Sequence, residues 1–175
     1  MNSGEQLCLA CGMCCDGTLF DNVQLGPNDD ATKVKALGLP VKRSRARVPI
    51  SFFRQPCSAL CSDRSCKVYK DRPVQCRTFE CGVFKGAQGS RITFDEALRL
   101  VKQAQRKANK VRRLLRKLGD TDEDRSLGDR FRRTQKRVES GIADETTAET
   151  FADLGLAIHL LNLLAQDKFY SDDTI

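Results

Sequence analysis

Residues 8–15 read Cys8-Leu-Ala-Cys11-Gly-Met-Cys14-Cys15, two consecutive CxxC spacings that end in a pair of adjacent cysteines. The CxxC spacing lets a tight turn direct two sulfur atoms at one point, as in zinc and iron–sulfur sites. Cys14 and Cys15 are neighbours that point apart in most backbone conformations, so all four thiolates should not close around one tetrahedral ion. The run therefore predicts either a second metal centre or one uncoordinated thiol.

A second group of cysteines lies further along the chain and supplies the remaining sulfur donors. Eight thiols would satisfy two four-coordinate zinc sites, but one cluster with one zinc ion, or a single centre with spare thiols, fits the count equally well. Free buried cysteines usually act as small hydrophobic residues that occur singly, so that role is disfavoured for so large a set. The second group comprises Cys57, Cys61, Cys66, Cys76 and Cys81.

The N-terminal residues and the cysteine count predict the cellular compartment of the protein. The N-terminal residues Met-Asn-Ser-Gly-Glu-Gln lack the basic start and apolar run of a signal peptide, and no stretch reaches 18 apolar residues. Nine cysteines, an odd number, cannot all pair. We therefore expect a cytoplasmic protein without membrane contact, whose thiols stay reduced and bind metal or act in redox chemistry.

Basic residues stand between the cysteines of the second group. Four thiolates around a divalent ion leave a net negative charge, which positive neighbours would offset. An ordinary solvated position is the alternative for each of these side chains. Tyr69, in the same segment, is predicted to be a core residue, with packing over the sulfur atoms as the alternative. The basic residues concerned are Arg64, Lys67, Arg72 and Arg77.

These motifs resemble the CxxCxxCC cysteine-cluster family (YkgJ-like), whose members are described as zinc- or iron-chelating. The resemblance covers residues 8–81 and includes Cys57-Ser-Ala-Leu60 and Cys66-Lys-Val-Tyr69-Lys-Asp-Arg72-Pro73-Val-Gln-Cys76-Arg77. The eighth ligand would be Cys61 or Cys81. Cys61 departs from the family pattern, and Cys81 is a less regular part of that pattern. We predict Cys81. The resemblance implies metal ligation by Cys8, Cys11, Cys14, Cys15, Cys57, Cys66 and Cys76.

The same resemblance bears on catalysis. Flagellin lysine methylases share this cysteine pattern together with an iron–sulfur centre, but they are far longer than this chain. No Ser-His-Asp set, phosphate-binding glycine loop or paired-carboxylate motif is evident, and the single histidine, His159, is predicted to be a core or rim residue. We therefore predict a non-enzymatic protein that binds zinc or an iron–sulfur cluster, with an iron–sulfur-dependent enzyme or accessory protein as an alternative.

Three helices are predicted after residue 92, each preceded by a threonine three residues before an acidic residue, as in a capping box. The first runs from Leu98 to Leu118 with apolar residues at helical spacing and stops at Gly119. The second ends near Gly141, and the third is apolar nearly all round and is predicted to be the buried helix. The threonine and acidic residue pairs are Thr93 with Glu96, Thr121 with Asp124, and Thr146 with Glu149.

The first half of the chain is predicted to contain only short elements. Residues 23–25 and 48–52 alternate apolar and polar residues as strands do, and Pro27 to Leu37 could form a helix ending at Gly38. The sequence Gly-Ala-Gln-Gly-Ser at 86–90 interrupts any regular pattern. We therefore predict a mostly α protein in which a small loop-rich cysteine module with short strands or turns, residues 1–88, packs on a three-helix segment in residues 89–175.

Charge divides the chain unevenly. Residues 1–98 carry +4, residues 99–137 carry +10 and residues 138–175 carry −7. An alternative function is a nucleic-acid-associated zinc module that uses the basic helices of residues 99–137, because binding of basic side chains releases phosphate counterions. A stripe of basic residues runs along the first of these helices. The alternative is that the acidic last block neutralises these helices internally, which leaves a protein partner open. The stripe comprises Lys102, Arg106, Lys110, Arg113 and Lys117.

Overall fold

The computed structural model describes residues 3–141 and 144–170 of the chain. The fold is mostly helical with one small sheet, which confirms the predicted fold class. A single 3₁₀ turn covers Tyr69–Asp71. The elements in chain order are α1 Ser3–Cys11, β1 Asn22–Gln24, α2 Ala31–Ala36, β2 Lys42–Arg43, β3 Ser51–Arg54, α3 Val74–Thr78, α4 Gly82–Gln88, α5 Phe94–Lys117, α6 Leu127–Ser140 and α7 Glu145–Lys168.

The three strands form an antiparallel sheet in the order β1-β3-β2. Val23 lies opposite Phe53 in the register, and both side chains are buried in a small core with Val34 and Leu39. The strand predicted at residues 48–52 begins only at Ser51. The predicted alternation of apolar residues was wrong. Phe53 is the residue of β3 that packs in the core, and residues 48–50 lie in the preceding loop.

The first short helix also begins later than predicted. Asp30 caps α2, since its carboxylate accepts hydrogen bonds from the backbone N–H groups of Thr32 and Lys33. A side chain that satisfies these N–H groups fixes the first turn more strongly than Pro27 could. The predicted stop is confirmed, because Gly38 adopts a positive φ of 85° just after the helix.

The two later helix starts were predicted wrongly, whereas the first was correct. Thr93 and Glu96 form the expected capping box of α5. Ser126, not Thr121, caps α6 by accepting a hydrogen bond from the N–H of Asp129. Asp144, not Thr146, caps α7. A capping pattern in sequence does not show which polar residue takes the cap, because several residues compete for it.

The prediction that α7 is the buried helix was wrong, and α5 buries more of its residues than α7 does. One face of α7 packs on α5 through Leu154, Ala157 and Leu161, which share a core with Val111 and Leu115. The opposite face is exposed, with Leu156 at 55%, Leu160 at 39% and Leu163 at 48%. By length and composition α7 could cross a membrane, with a mean hydropathy of 1.2, although no run of 18 apolar residues occurs.

A second core joins the N-terminal cysteine segment to the long helices. Leu7, Cys11 and Met13 pack in one cluster with Val101 of α5 and Phe169 just after α7. The predicted boundary at residues 88 and 89 falls between α4 and α5, and this core contains residues from both sides of it. The long helices therefore support the cysteine segment directly.

Candidate metal centre

The cysteine run occupies the end of α1 and the turn that follows. The helix ends at Cys11, and the N–H of Gly12 donates to the carbonyl of Cys8 at 2.9 Å. Gly12 has a positive φ of 64°, and a Cβ there would lie 3.0 Å from the Arg64 guanidinium. Only glycine takes this backbone conformation without strain, so Gly12 allows the chain to reverse between Cys11 and Cys14.

Side chains of α5 hold this turn in place. Gln105 Nε2 donates to the carbonyls of Ala10 at 2.9 Å and Cys11 at 3.1 Å. Arg112 donates to the hydroxyl of Thr18 at 2.9 Å and pairs with Asp16 at 3.2 Å. These polar contacts reach across more than ninety residues of sequence, and no local pattern in the sequence indicates them.

The second group of cysteines approaches the first from several elements. Cys57 follows β3, and its N–H donates to the carbonyl of Cys15 at 2.8 Å. Cys66 lies in a turn bridged to Leu60, and Cys76 is on α3. Cys81 caps α4, where its Sγ accepts a hydrogen bond from the N–H of Phe84 at 3.4 Å.

All eight cysteines predicted as ligands line one cavity of about 380 Å³. Cys61, the other candidate for the eighth ligand, does not line it. Its segment folds instead into a turn, in which its N–H donates to Ser65 O and its carbonyl accepts from Arg64 N. The structure thus places Cys81, and not Cys61, with the other seven.

The neighbours of the eight thiols suggest an assignment to two groups of four. Cys11, Cys14 and Cys81 pack in the core shared with α5. Burial raises the pKa of Cys14 well above its ordinary value, and the neighbouring thiols raise it further, Cys11 and Cys81 most and then Cys15 and Cys8. We call Cys8, Cys11, Cys14 and Cys81 the first quartet.

The other four thiols surround Cys15. Cys57, Cys66 and Cys76 pack against the core beneath the sheet. Burial raises the pKa of Cys15 to about 12, and negative charge on Cys57, Cys76 and Cys66 adds to the increase. We call Cys15, Cys57, Cys66 and Cys76 the second quartet. Cys14 and Cys15 therefore belong to different groups, as their adjacency in the sequence suggested.

The electrostatic environment of these thiols disfavours thiolates in the absence of metal. Burial raises the pKa of Cys11 to about 12, and it also raises that of Cys76 to about 12. Several negative charges gathered in one cavity would repel one another, so Cys11 and Cys76 stay protonated at neutral pH. A metal ion that bound here would displace the protons and supply the missing positive charge.

The donor set fits zinc or an iron–sulfur cluster. Each quartet offers four sulfur atoms, which is the ligand set of a structural zinc site and of common iron–sulfur clusters. Among the residues that the structure describes, no three His, Cys, Asp or Glu side chains already stand in a metal-holding arrangement. The fit therefore rests on the chemistry of the sulfur donors and on their shared cavity.

Two of the four predicted basic neighbours line the cavity, Arg64 and Arg72. Arg64 also donates to the carbonyl of Cys11. Lys67 and Arg77 are exposed and are not among the lining residues. Tyr69 was wrongly predicted to be a core residue, because 43% of it is exposed and the Arg72 guanidinium lies 3.8 Å from its ring centroid.

Two other side chains bear on the site or on its interpretation. Gln55 is only 2% exposed and lines the cavity, and its Oε1 has no hydrogen-bond partner within the described part of the chain. Sequence reasoning missed it, because an isolated glutamine before Pro56 carries no recognisable motif. His159 is exposed on α7, so it is not a core residue.

The basic stripe of α5 faces solvent. In the described ranges 3–141 and 144–170, its five side chains form no ion pair, and no carboxylate of α7 pairs with α5 or α6. Arginines of α5 and α6 pair with Asp129 of α6 and with carboxylates of other segments, such as Asp16, Asp21 and Asp122. The proposed neutralisation by the acidic last block is therefore not found in these ranges.

Comparison with known proteins identifies the family of the chain. The model of the CxxCxxCC family, described as a "putative zinc- or iron-chelating domain", matches residues 7–110. The matched range includes both quartets and extends into α5 as far as Lys110, so it contains Gln105. No curated protein and no solved structure matches the chain.

Proposed function

Because the chain belongs to the CxxCxxCC family of zinc- or iron-chelating domains, we propose that its two cysteine quartets hold two separate all-thiolate metal centres. The first centre would use Cys8, Cys11, Cys14 and Cys81, and the second Cys15, Cys57, Cys66 and Cys76. The observation that carries metal binding by these thiols is one cavity lined by all eight of them and not by Cys61. The division between Cys14 and Cys15 supports two centres instead of one.

The cavity has room for iron–sulfur clusters, and clusters are the occupants that we propose to test against zinc. A tetrahedral zinc ion draws four sulfur atoms to about 2.3 Å and needs no space beyond them. The inorganic core of a cluster keeps its cysteine ligands apart, and a cavity of about 380 Å³ offers room for such cores. A bound cluster supplies one-electron redox chemistry. The protein would then be a cytoplasmic redox or cofactor-bearing protein.

The surrounding residues would serve the bound centres in three ways. Gln105 and Arg112 of α5 fix the backbone of the cysteine run. Arg64 and Arg72 bring positive charge to a cavity that would hold eight thiolates. Met13 and Val83, each at most 2% exposed, belong to the apolar lining beside the first quartet, of which Cys8 is exposed.

Anaerobic purification with analysis of iron, sulfide and zinc tests the proposal. Two four-iron clusters would give about eight iron and about eight sulfide per chain and a brown absorption near roughly 400 nm. Two zinc ions in a colourless protein would retain the two centres and overturn the iron–sulfur assignment. Metal content that is unaffected by removal of either quartet would overturn the ligand assignment itself.

Nucleic-acid binding through α5 is a second candidate function. The five basic side chains of the stripe extend over about 22 Å at the helical rise, and none pairs with a carboxylate in the described part of the protein. Phosphates would relieve their mutual repulsion. Replacing Lys102, Arg106 and Lys110 by alanine should weaken binding to a labelled duplex and reduce its salt dependence. Binding that is insensitive to salt would contradict this candidate.

A further inference from the structure

A second basic surface lies on the small sheet and on α2, in a part of the chain far from the long helices in sequence. Residues 31–62 contain seven Lys and Arg residues and no Asp or Glu. Lys33 pairs with Asp71 at 2.8 Å. Within the described ranges, the other six form no ion pair. They are exposed, and they are Lys35, Lys42, Arg43, Arg45, Arg47 and Arg54.

Most of this charge sits on the hairpin that joins β2 to β3. The N–H of Ser44 donates to the carbonyl of Ile50 and the N–H of Ile50 donates to the hydroxyl of Ser44, both at 2.9 Å. These two bonds close the loop of residues 45–49. Two aliphatic side chains stand out beside the arginines, with Val48 75% and Ile50 41% exposed. We call residues 42–50 the basic hairpin.

The basic hairpin has no evident role in the stability of the fold. Phe53 anchors β3 in the core, but the hairpin loop itself buries no apolar side chain. β2 lies at an edge of the sheet and pairs with β3 alone. Clustered cations without carboxylates repel one another, and exposed Val48 adds unfavourable contact with water. A polyanionic partner would relieve the repulsion.

We propose that the basic hairpin is a nucleic-acid-binding arm that contacts the phosphodiester backbone mainly through Arg43, Arg45 and Arg47. Guanidinium groups match phosphate oxygens in a bidentate way. A two-stranded ribbon fits the major groove of a duplex, where Val48 and Ile50 can meet bases and sugars. This surface is distinct from the basic stripe of α5, and it does not depend on which metal the cysteines bind.

A bilayer surface is the less suitable partner for this hairpin. Membrane-surface segments bury a broad apolar face that often includes aromatic residues, whereas the hairpin offers two aliphatic side chains and no aromatic one. The basic stripe of α5 is the other cationic surface without ion pairs in the described residues, and it contains no apolar side chain. Extended phosphodiester chains can satisfy cations on both surfaces without apolar insertion.

The test measures the anisotropy of a fluorescein-labelled mixed-sequence DNA duplex of about 20 base pairs, titrated with the full-length metal-loaded protein. The variant Arg45→Ala/Arg47→Ala changes only loop positions, so the strand pairing should persist. The control Arg91→Ala/Lys168→Ala removes the same charge from exposed positions elsewhere. Metal content is measured in each preparation, which separates a failure of this proposal from a failure of the metal centres.

The hairpin variant should bind the duplex at least about tenfold more weakly, and its plot of log affinity against log salt should be shallower by about two. The control should stay within about twofold of the parent protein. Equal weakening in both variants would overturn the proposal, since net charge alone would then explain binding. No duplex binding by the parent protein would also overturn it. So would tighter binding to phosphatidylserine vesicles that Val48→Ser abolishes.

Discussion

Cys14 and Cys15 are adjacent in the chain, yet they face different sets of sulfur atoms. Cys11 and Cys81 raise the pKa of Cys14 more than Cys15 does, whereas Cys57, Cys76 and Cys66 are the thiols that raise the pKa of Cys15. In an extended or turn backbone the side chains of consecutive residues point apart, so two adjacent residues can be ligands of two different centres. At the scale of single residues, the proposed function depends on this separation.

If this assignment is correct, Cys14→Ala and Cys15→Ala should each abolish one centre and leave the other. We expect each variant to retain about half of the iron and sulfide of the parent protein, because each removes one of four ligands from one quartet only. Cys61→Ala is the matched control and should retain all of both. Complete loss of metal from either single variant would indicate one joint centre. Elemental analysis of anaerobically purified variants measures the iron and sulfide content and distinguishes these outcomes.

A buried ion pair stabilises the turn between α5 and α6. Arg130 Nε donates to Asp120 Oδ1 at 2.8 Å, and the two side chains are 2% and 4% exposed. Asp120→Ala should lower the free energy of unfolding by about 3–5 kcal/mol, because it leaves the guanidinium buried without its carboxylate. Urea denaturation of the metal-loaded protein measures this change.

Glu123 provides the control for that measurement. It pairs with Arg116 at 2.7 Å, but both side chains are more than half exposed. Glu123→Ala should therefore cost less than about 1 kcal/mol, as exposed pairs usually do. Similar losses in both variants would contradict the role assigned to burial.

At the scale of elements, α7 presents neighbouring leucines to different environments. Leu161 is 2% exposed and packs on α5, whereas Leu160 is 39% exposed. Leu161→Ala should lower the free energy of unfolding by about 2–5 kcal/mol, since it leaves a cavity between the helices. Leu160→Ala makes the same chemical change and should cost less than about 1 kcal/mol. Equal losses would show that the outer face of α7 is covered in solution.

The helix α5 has a second role as a support for the cysteine run. Gln105→Ala removes both hydrogen bonds to the carbonyls of Ala10 and Cys11. We expect the variant to lose metal to a chelator about tenfold faster, because residues behind the ligands restrain their orientation. Gln103→Ala, on the exposed side of the same helix, is the control and should match the parent protein. Equal rates for both variants would assign Gln105 no part in metal retention.

At the scale of the whole molecule, the shared core couples the cysteine segment to the long helices. Leu7 and Met13 pack with Val101 and Phe169 in one cluster. Metal removal should therefore increase hydrogen exchange in residues 8–81 and also in the first half of α5. The second half of α5, in the separate core with Leu154 and Leu161, should keep its protection. Increased exchange confined to the cysteine loops would contradict this coupling.

The main elements of the fold could be predicted where the signal is local in the sequence. The apolar spacing from Leu98 to Leu118 predicts α5, and the Thr93 capping box and Gly119 predict its two ends. The structure contains the capping box, and Gly119 has a positive φ. Two other helix starts and the register of β3 could not be predicted. Several polar residues near Thr121 and Thr146 can cap a helix, and only packing shows which face of a short strand is buried.

The sequence by itself determined the donor chemistry, the family and the mostly helical fold, because cysteine spacing and helical periodicity are carried by residues close together in the chain. The tertiary structure alone decided that Cys81, and not Cys61, lines the cavity, and that Gln105 supports the cysteine run. It also showed one face of α7 and the arginines of the basic hairpin to be exposed. These features depend on which distant segments share a core, and the free energy of that packing is a property of the whole chain.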